Sequence, residues 1–165
     1  MLQRLKGAAA VGAMALAACA QTMTDAPMAM SDDARIRSQA DLQAYLDAFN
    51  GHRYAEQIAY YAPDVRYAVG TLTLDSPEAI AAFYDDFHDY VNEHVEIAAF
   101  ALSGDTAAVA MPTRFEAFRT YDKNGLRMEE GSVSEIVSFI FYELEDGKIR
   151  RIRVARYNGG AADFE

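Results

Sequence analysis

Residues 126–157 read LRMEEGSVSEIVSFIFYELEDGKIRRIRVARY, and this stretch decides the fold. Two long segments rich in β-branched and aromatic residues flank Glu145-Asp146-Gly147, a sequence typical of a tight turn. Similar turn sequences at 103–105 and 122–125 divide the chain before it. The pattern predicts an antiparallel meander of four long β segments, at about 94–102, 106–121, 126–144 and 148–157.

Two helical patterns open the folded part of the chain. Apolar residues recur at helical spacing up to Asn50-Gly51, a combination that favours the end of a helix. Tyr54, Ile58 and Tyr61 repeat that spacing, which predicts a short second helix that ends at Pro63.

A strand pattern and a third helix follow. Residues 65–74 alternate around Gly70, which predicts a short strand pair or one bent strand. The sequence DSPE at 75–78 is typical of a helix entrance, and its apolar stripe continues to Val91. The whole order predicts an α+β fold with three N-terminal helices packed on a curved, mainly antiparallel sheet.

Composition narrows the class of protein. The chain has 165 residues, of which 52% are hydrophobic, and its formal net charge is −10. The length and apolar content are those of one globular domain. An acidic chain has the wrong sign for binding a phosphate backbone, so nucleic-acid binding is not expected.

The N-terminus has the layout of a bacterial lipoprotein signal. Two basic residues precede an uncharged apolar stretch that ends in Leu16-Ala17-Ala18-Cys19, which resembles a lipobox. The stretch is too short for a permanent transmembrane helix. We therefore predict a signal peptide at 1–18, a lipidated flexible tether at 19–35, a folded domain at 36–158 and a tail at 159–165. An ordinary secretory signal is the alternative.

The lipobox-like sequence also predicts where the protein is located. Acylation of Cys19 would attach the chain to a membrane, and Ala20 after the cysteine favours the outer membrane, facing the periplasm. The only cysteine would then be consumed as the anchor, so no disulfide is expected.

Four segments carry a family resemblance. These are Phe49-Asn50-Gly51-His52-Arg53-Tyr54, Tyr61-Ala62-Pro63-Asp64-Val65, the helix entrance at 76–84 and the closing FYELEDGKI at 141–149. Together they resemble the SnoaL-like branch of the nuclear transport factor 2-like superfamily, over nearly all of residues 36–157.

The resemblance implies a cone-shaped α+β barrel that encloses a pocket, often in a dimer packed through its sheets. The superfamily includes polyketide cyclases, ketosteroid isomerases, scytalone dehydratases and noncatalytic binding domains, so the fold does not select an activity. The aspartate-histidine pair of the cyclases cannot be placed residue by residue. The same is true of the tyrosine and two aspartates of the isomerases.

His88 and Glu135 are the candidate catalytic residues. His88 shares a helix face with Tyr84, where an apolar pocket would hold it neutral as a base, and its alternative role is that of a core histidine. Glu135 alternates with valines and phenylalanines, so it is either an acid or base or the partner of Arg114 or Arg153 in a structural ion pair. His94 and His52 are expected at the surface.

The remaining predicted pocket residues are aromatic or basic. Tyrosines can line an apolar cavity while presenting hydroxyl groups, and 12% of the chain is aromatic. The predicted lining is Tyr45, Tyr61, Tyr84, Arg114, Phe115, Phe139 and Arg153.

Three functions remain open at this point. The first is an envelope-anchored domain that binds a small, largely apolar molecule, and the second is an enzyme that moves protons next to a carbonyl, using His88 or Glu135. The third is a noncatalytic homodimer with the serine-lined strand face of residues 132–142 at its interface. Three scattered histidines and one cysteine give no metal-ligand spacing, so neither a metal nor another cofactor is expected.

Overall fold

The computed structural model describes residues 34–157, which form three helices and nine strands. The helices are α1 (Gln39–Asn50), α2 (Tyr54–Gln57), which continues into a 3-10 turn (Ile58–Tyr60), and α3 (Pro77–His88). The strands are β1 (Tyr61–Val69), β2 (Leu72–Leu74), β3 (Val91–Val95), β4 (Ala99–Ser103), β5 (Thr106–Ala117), β6 (Tyr121–Lys123), β7 (Leu126–Met128), β8 (Val133–Glu145) and β9 (Lys148–Tyr157).

Serine caps set the starts of the two long helices. The Ser38 hydroxyl accepts a hydrogen bond from the Asp41 backbone N–H, and the Ser76 hydroxyl accepts one from Ala79. Each cap satisfies one of the N–H groups that a helix start leaves without a partner. Both helices bury one apolar stripe against the sheet, as the helical spacing predicts.

Seven strands form one curved sheet in the order β2-β1-β9-β8-β5-β3, with β4 also paired to β5. Every pair in it is antiparallel except β1 with β9, which run parallel. The helices cover the inner face, where buried residues of α1, α3, β5 and β8 make one hydrophobic core. The predicted α+β fold with helices on a curved, mainly antiparallel sheet is therefore confirmed.

The predicted end of the second helix is wrong. Helical geometry stops at Tyr60, and Tyr61 begins β1 with its backbone paired to Ile149 of β9. Contact with a distant strand thus overrides the local helical spacing. The predicted strand pair at 65–74 is confirmed as the β1–β2 hairpin, whose turn contains Gly70 at a φ of +57°.

The four predicted β segments of the meander divide into more strands. The first begins at Val91 rather than at His94 and splits into β3 and β4. The last residue of the segment at 106–121 and the first three residues of the segment at 126–144 belong instead to the separate β6–β7 hairpin, which packs beside the sheet. The segment at 148–157 is confirmed as β9.

The ends of the chain lie outside the described residues, and so do the predicted signal peptide, Cys19 and nearly all of the predicted tether and tail. Ile36 is already packed into the core, and its N–H donates to the Gly147 carbonyl in the β8–β9 turn. Between residues 34 and 157, no helix is long and apolar enough to cross a membrane.

Candidate functional site

Two adjacent cavities lie between the inner face of the sheet and the helices. The inner cavity has a volume of about 170 Å³, and the outer cavity, beside the β6–β7 hairpin, has one of about 480 Å³. Four residues line both cavities and mark their junction: Tyr67, Tyr84, Glu93 and Phe115. A ligand that fills the outer cavity would therefore reach Glu93.

Hydroxyl groups are concentrated on one side of the inner cavity. The hydroxyl oxygens of Tyr45 and Tyr61 lie 2.8 Å apart, and the Gln57 amide donates to Tyr61 at 2.9 Å. The Tyr84 hydroxyl donates to that of Tyr67 at 3.2 Å. Burial raises the pKa of all four tyrosines, so they stay protonated near neutral pH and can donate hydrogen bonds.

The opposite side of the inner cavity is apolar. Leucine, phenylalanine, valine, methionine and isoleucine side chains from α1, β3, β5, β8 and β9 form it, namely Leu46, Phe49, Val95, Met111, Phe115, Ile136, Ile140, Ile152 and Val154. Thr113, Ser138 and Tyr142 add hydroxyls to this wall. The cavity thus combines an apolar wall with hydrogen-bond donors on one side, which is the composition of a small-molecule site.

Glu93 is the carboxylate of this site. It lies on β3 opposite Phe115 of β5, and its side chain is 10% exposed at the junction of the cavities. Burial raises the pKa of Glu93, while the neighbouring His88 acts in the opposite direction and more weakly. A carboxyl group with a raised pKa can both accept and return a proton near neutral pH.

His88 lies behind Glu93, on the side away from the cavities. Its Nε2 is 3.6 Å from Glu93 Oε2, and its side chain is 2% exposed. It is the last residue of α3, so this contact joins the end of that helix to β3. The Nε2 atom has no hydrogen-bond partner within the described part of the chain at this separation, so Glu93 is the group that it faces.

Tyr54 contacts the other ring nitrogen of His88. The Tyr54 hydroxyl donates to the Tyr84 carbonyl oxygen at 3.2 Å, and the Tyr54 hydroxyl oxygen lies 2.7 Å from His88 Nδ1. When the Tyr54 hydroxyl donates to Tyr84, the short contact is an Nδ1–H donating to Tyr54, since a phenol has one proton to donate. In that tautomer Nε2 faces Glu93 as a hydrogen-bond acceptor.

The ring of His52 covers the ring of His88 on the solvent side. It stacks on His88 with centroids 4.2 Å apart and planes 9° from parallel. His52 adopts a φ of +54°, which lets the chain turn between α1 and α2 and lays the imidazole over its neighbour. Burial and the neighbouring His88 both lower the pKa of His52, which keeps the exposed ring of the pair neutral.

The structure brings five of the predicted site residues together. Tyr45, Tyr61, Tyr84 and Phe115 line the inner cavity, and His88 lies against its carboxylate. These residues come from α1, β1, α3 and β5, so the site forms only once the sheet and helices have packed.

Four other predicted site residues lie elsewhere, and this corrects the sequence analysis. Glu135 and Arg114 pair across β8 and β5 at 2.7 Å on the outer face of the sheet, where the Glu135 side chain is 56% exposed. Arg153 points to the same outer face and pairs with Glu143 at 2.6 Å. Phe139 lies there too, with its ring against Tyr157.

These four residues lie outside the cavities because they are on the face of the sheet that the helices do not cover. Alternation along β8 defines two faces, and the helices cover the one that carries Ile136, Ser138, Ile140 and Tyr142. The serine-lined face proposed for an interface is therefore partly buried as a cavity wall. The outer face exposes Phe141 and Val133 instead.

Sequence reasoning missed Glu93 and Tyr67. The signal for Glu93 was present in VNEHV at 91–95, where the carboxylate alternates in phase with two valines that are buried. Tyr67 lies two residues after Val65 in the same phase of β1. Both residues occur in strands whose extent the sequence pattern misjudged.

Within residues 34–157, no three His, Cys, Asp or Glu side chains form a group that could hold a metal ion. The carboxylate of the site has a histidine and tyrosines around it, which suits hydrogen bonding and proton exchange.

Comparison with solved structures gives relatives of the same fold. A provisionally named polyketide cyclase from Xanthomonas campestris pv. campestris superimposes with a TM-score of 0.60 at 24% identity, over 71% of this chain and 87% of that one. A second protein so named, from Silicibacter sp., gives 0.61 at 20% identity, over 79% and 94%. A hypothetical protein with a ketosteroid isomerase-like fold from Catenulispora acidiphila, solved with trimethylamine, gives 0.58 at 14%, over 69% and 82%.

These identities establish a shared fold and no shared activity. No functionally curated protein matches the chain. The sequence profile of the SnoaL-like domain matches residues 42–152, which contain every residue of the two cavities except Val154 and Arg156. The chain therefore belongs to the SnoaL-like domain family.

Proposed function

We propose that this protein binds a small, largely apolar molecule that carries a hydrogen-bonding group, such as a carbonyl, for the tyrosines and Glu93. The observation that carries the proposal is the position of Glu93, a carboxylate kept at the junction of two mostly apolar cavities. Burying a carboxylate there is costly unless it has a partner. His88, at 3.6 Å, is too far from Glu93 for a full hydrogen bond. A ligand group that donates a hydrogen bond to Glu93, or accepts one from it, would supply the missing partner.

The size of the cavities supports a ligand of one or two rings. The outer cavity of about 480 Å³ lies in the usual range for small-molecule sites, and the inner one of about 170 Å³ extends it. Aromatic and aliphatic side chains would contact the body of the ligand, and the hydroxyl side of the inner cavity would bind its polar end.

Native mass spectrometry of the protein purified from its own host tests this proposal. We expect a retained molecule on the wild-type chain and its loss in Ile140→Trp, which fills the inner cavity. Phe141→Trp is the matched control, because it adds the same ring to the outer face of the same strand. Retention of the molecule in Ile140→Trp would place binding outside the inner cavity and contradict the proposal that its tyrosines bind the polar end of the ligand.

A second candidate function is proton transfer next to a carbonyl, as in a cyclase, isomerase or dehydratase. The contact that favours it is His88 behind Glu93, with the Tyr54 hydroxyl on the other ring nitrogen of the histidine. Glu93 would take a proton from the carbon beside the carbonyl, and the electron pair of that C–H bond would move onto the carbonyl oxygen. A tyrosine hydroxyl would stabilise the enolate, and Glu93–H would return the proton.

Deuterium exchange separates the two functions. A bound carbonyl compound incubated with the enzyme in deuterium oxide should exchange its α-hydrogens, as followed by proton NMR, and Glu93→Gln should abolish the exchange while binding persists. Binding without exchange in the wild type would leave the binding function and remove the enzymatic one.

We also propose that the protein is a homodimer packed through the outer face of its sheet. That face carries Phe141 and Val133, exposed at 46% and 51%, beside alanines of β4 and β5. Ion pairs such as Arg114–Glu135 flank it. An exposed apolar patch with a charged rim is typical of a protein interface.

The location proposed for the domain is the periplasmic side of the outer membrane, through acylation at Cys19. The support is the lipobox-like sequence that ends at this residue. Because the chain is acidic, acyl chains rather than attraction to anionic headgroups would hold it there.

A further inference from the structure

Among residues 34–157, the outer cavity has one cationic side chain without a carboxylate partner. Arg156 of β9 lies opposite Ser138 on the inner face of the sheet and lines this cavity. The other three arginines of the strand, Arg150, Arg151 and Arg153, all approach carboxylates within 4 Å. Arg156 has no such partner among residues 34–157.

The other charges of the cavity are already accounted for. Arg127 donates to Glu129 at 2.6 Å and to Asp122 at 2.7 Å, so this group of one guanidinium and two carboxylates has a formal charge of −1. Glu93 faces His88 at the far side, next to the inner cavity. A ligand in the outer cavity would therefore meet a positive charge at Arg156 and a hydrogen-bonding carboxyl at Glu93.

We propose that the ligand is an apolar organic anion, such as a carboxylic acid, whose anionic group pairs with Arg156 while its uncharged polar group reaches Glu93. This rests on the proposed binding function and names the chemical class of its ligand. A guanidinium binds a carboxylate through two parallel hydrogen bonds, which fixes the orientation of the molecule as well as its affinity. The polar group would then enter the inner cavity first.

Two fluorescent probes that differ by one anionic group test this assignment. 8-Anilinonaphthalene-1-sulfonate carries a sulfonate, and N-phenyl-1-naphthylamine is the same ring system without it. We expect Arg156→Gln to weaken binding of the sulfonate about fivefold, the upper end for one exposed ion pair, and to leave the neutral probe unchanged. Arg153→Gln, on the outer face of the same strand, is the matched control and should change neither.

A further variant keeps the two proposals distinguishable. Ser134→Trp adds an indole to the outer cavity and should displace both probes, with circular dichroism to check the fold. Equal binding of the sulfonate to wild type and Arg156→Gln, with displacement by Ser134→Trp, would overturn the anion assignment alone. Failure of either probe to bind the wild type, or retention of both in Ser134→Trp, would overturn the binding function together with it.

Discussion

His88 Nε2 lies 3.6 Å from Glu93 Oε2, and both side chains are almost fully removed from water. The distance is longer than a hydrogen bond. A small movement of either side chain would bring the two groups close enough to share a proton. Glu93 also faces both cavities, so its carboxyl group lies between a bound molecule and the buried histidine and can pass a proton between them.

The first prediction concerns stability and pH in Glu93→Gln. Burial raises the native pKa of Glu93 above its ordinary value of 4.5, so the native state holds a proton that the unfolded chain releases. The contribution to stability is complete below pH 4.5 and is lost as the pH rises through the raised pKa. Glutamine does not titrate, so the free energy of unfolding of the variant should rise relative to wild type over that interval.

Urea unfolding at a series of pH values measures this difference. Glu135→Gln is the matched control, since it removes a carboxylate from the exposed outer face, and it should change stability by no more than about 1 kcal/mol. A constant difference between Glu93→Gln and wild type across the series would show that burial does not raise this pKa.

The second prediction concerns the tautomer of His88 in Tyr54→Phe. In the wild type the proton should reside on Nδ1, because the Tyr54 oxygen that faces it already donates to Tyr84. Phenylalanine removes that acceptor, so the preference for Nδ1 should weaken and stability should fall by about 1 kcal/mol. Nitrogen-15 NMR of the imidazole measures the populations of both tautomers.

Tyr60→Phe serves as control for the loss of a phenolic hydroxyl on the neighbouring turn, and it should leave the His88 spectrum unchanged. Where the protein exchanges α-hydrogens, Tyr54→Phe should lower kcat with little change in KM. An Nε2 proton in the wild type would contradict the assignment of the short contact.

The third prediction concerns the hydroxyl network of the inner cavity. Tyr61→Phe removes the acceptor of the Gln57 amide and the partner of the Tyr45 hydroxyl, all of them buried. Leaving buried polar groups without partners should lower the free energy of unfolding by about 1–3 kcal/mol. Gln57→Leu combined with Tyr61→Phe should cost less than the sum of the two single changes, as measured by urea unfolding. Strict additivity would mean that the two residues are not coupled.

The fourth prediction concerns the oligomeric state in Phe141→Glu. A carboxylate in the centre of the outer sheet face should turn the proposed dimer into monomers, because its burial in an interface is costly. Phe118→Glu is the control, since Phe118 is similarly exposed at 50% but follows the end of β5. Sedimentation velocity reports both states. A dimer that survives Phe141→Glu would exclude this face as the interface.

Much of the fold could be predicted because the relevant signals are local. Capping serines at Ser38 and Ser76 and the turn at 145–147 define helix starts and a hairpin whatever the rest of the chain does. Tyr61 shows where this approach stops. Its spacing is helical, yet its backbone pairs with Ile149 in a parallel contact that no local pattern predicts.

The site was harder to predict because a strand has two faces and the sequence does not say which one is covered. Alternation correctly placed Phe115 and Arg114 on opposite faces of β5, yet both residues were expected in the pocket. The helices cover only the face that carries Phe115. Glu93 was missed because a carboxylate beside the exposed His94 resembles a surface residue until β3 is paired with β5.

The fifth prediction concerns Cys19→Ser and the membrane. If Cys19 carries acyl chains, each buried methylene adds about 0.8 kcal/mol to membrane binding, and two or three chains hold the protein firmly. Serine cannot be acylated at this position, so the variant should move from the membrane fraction to the soluble or precursor fraction. Fractionation of host cells followed by immunoblotting measures the distribution.

Two further measurements make this prediction decisive. Intact mass of the wild-type protein should show loss of residues 1–18 and the added mass of the lipid, and alkaline carbonate should not extract it from membranes. Ala20→Ser, next to the cysteine, is the matched control and should stay membrane-bound. A wild-type protein cleaved elsewhere, without lipid and recovered in the soluble fraction, would instead identify an ordinary secretory signal, and the domain with its Glu93 site would then act free of any anchor.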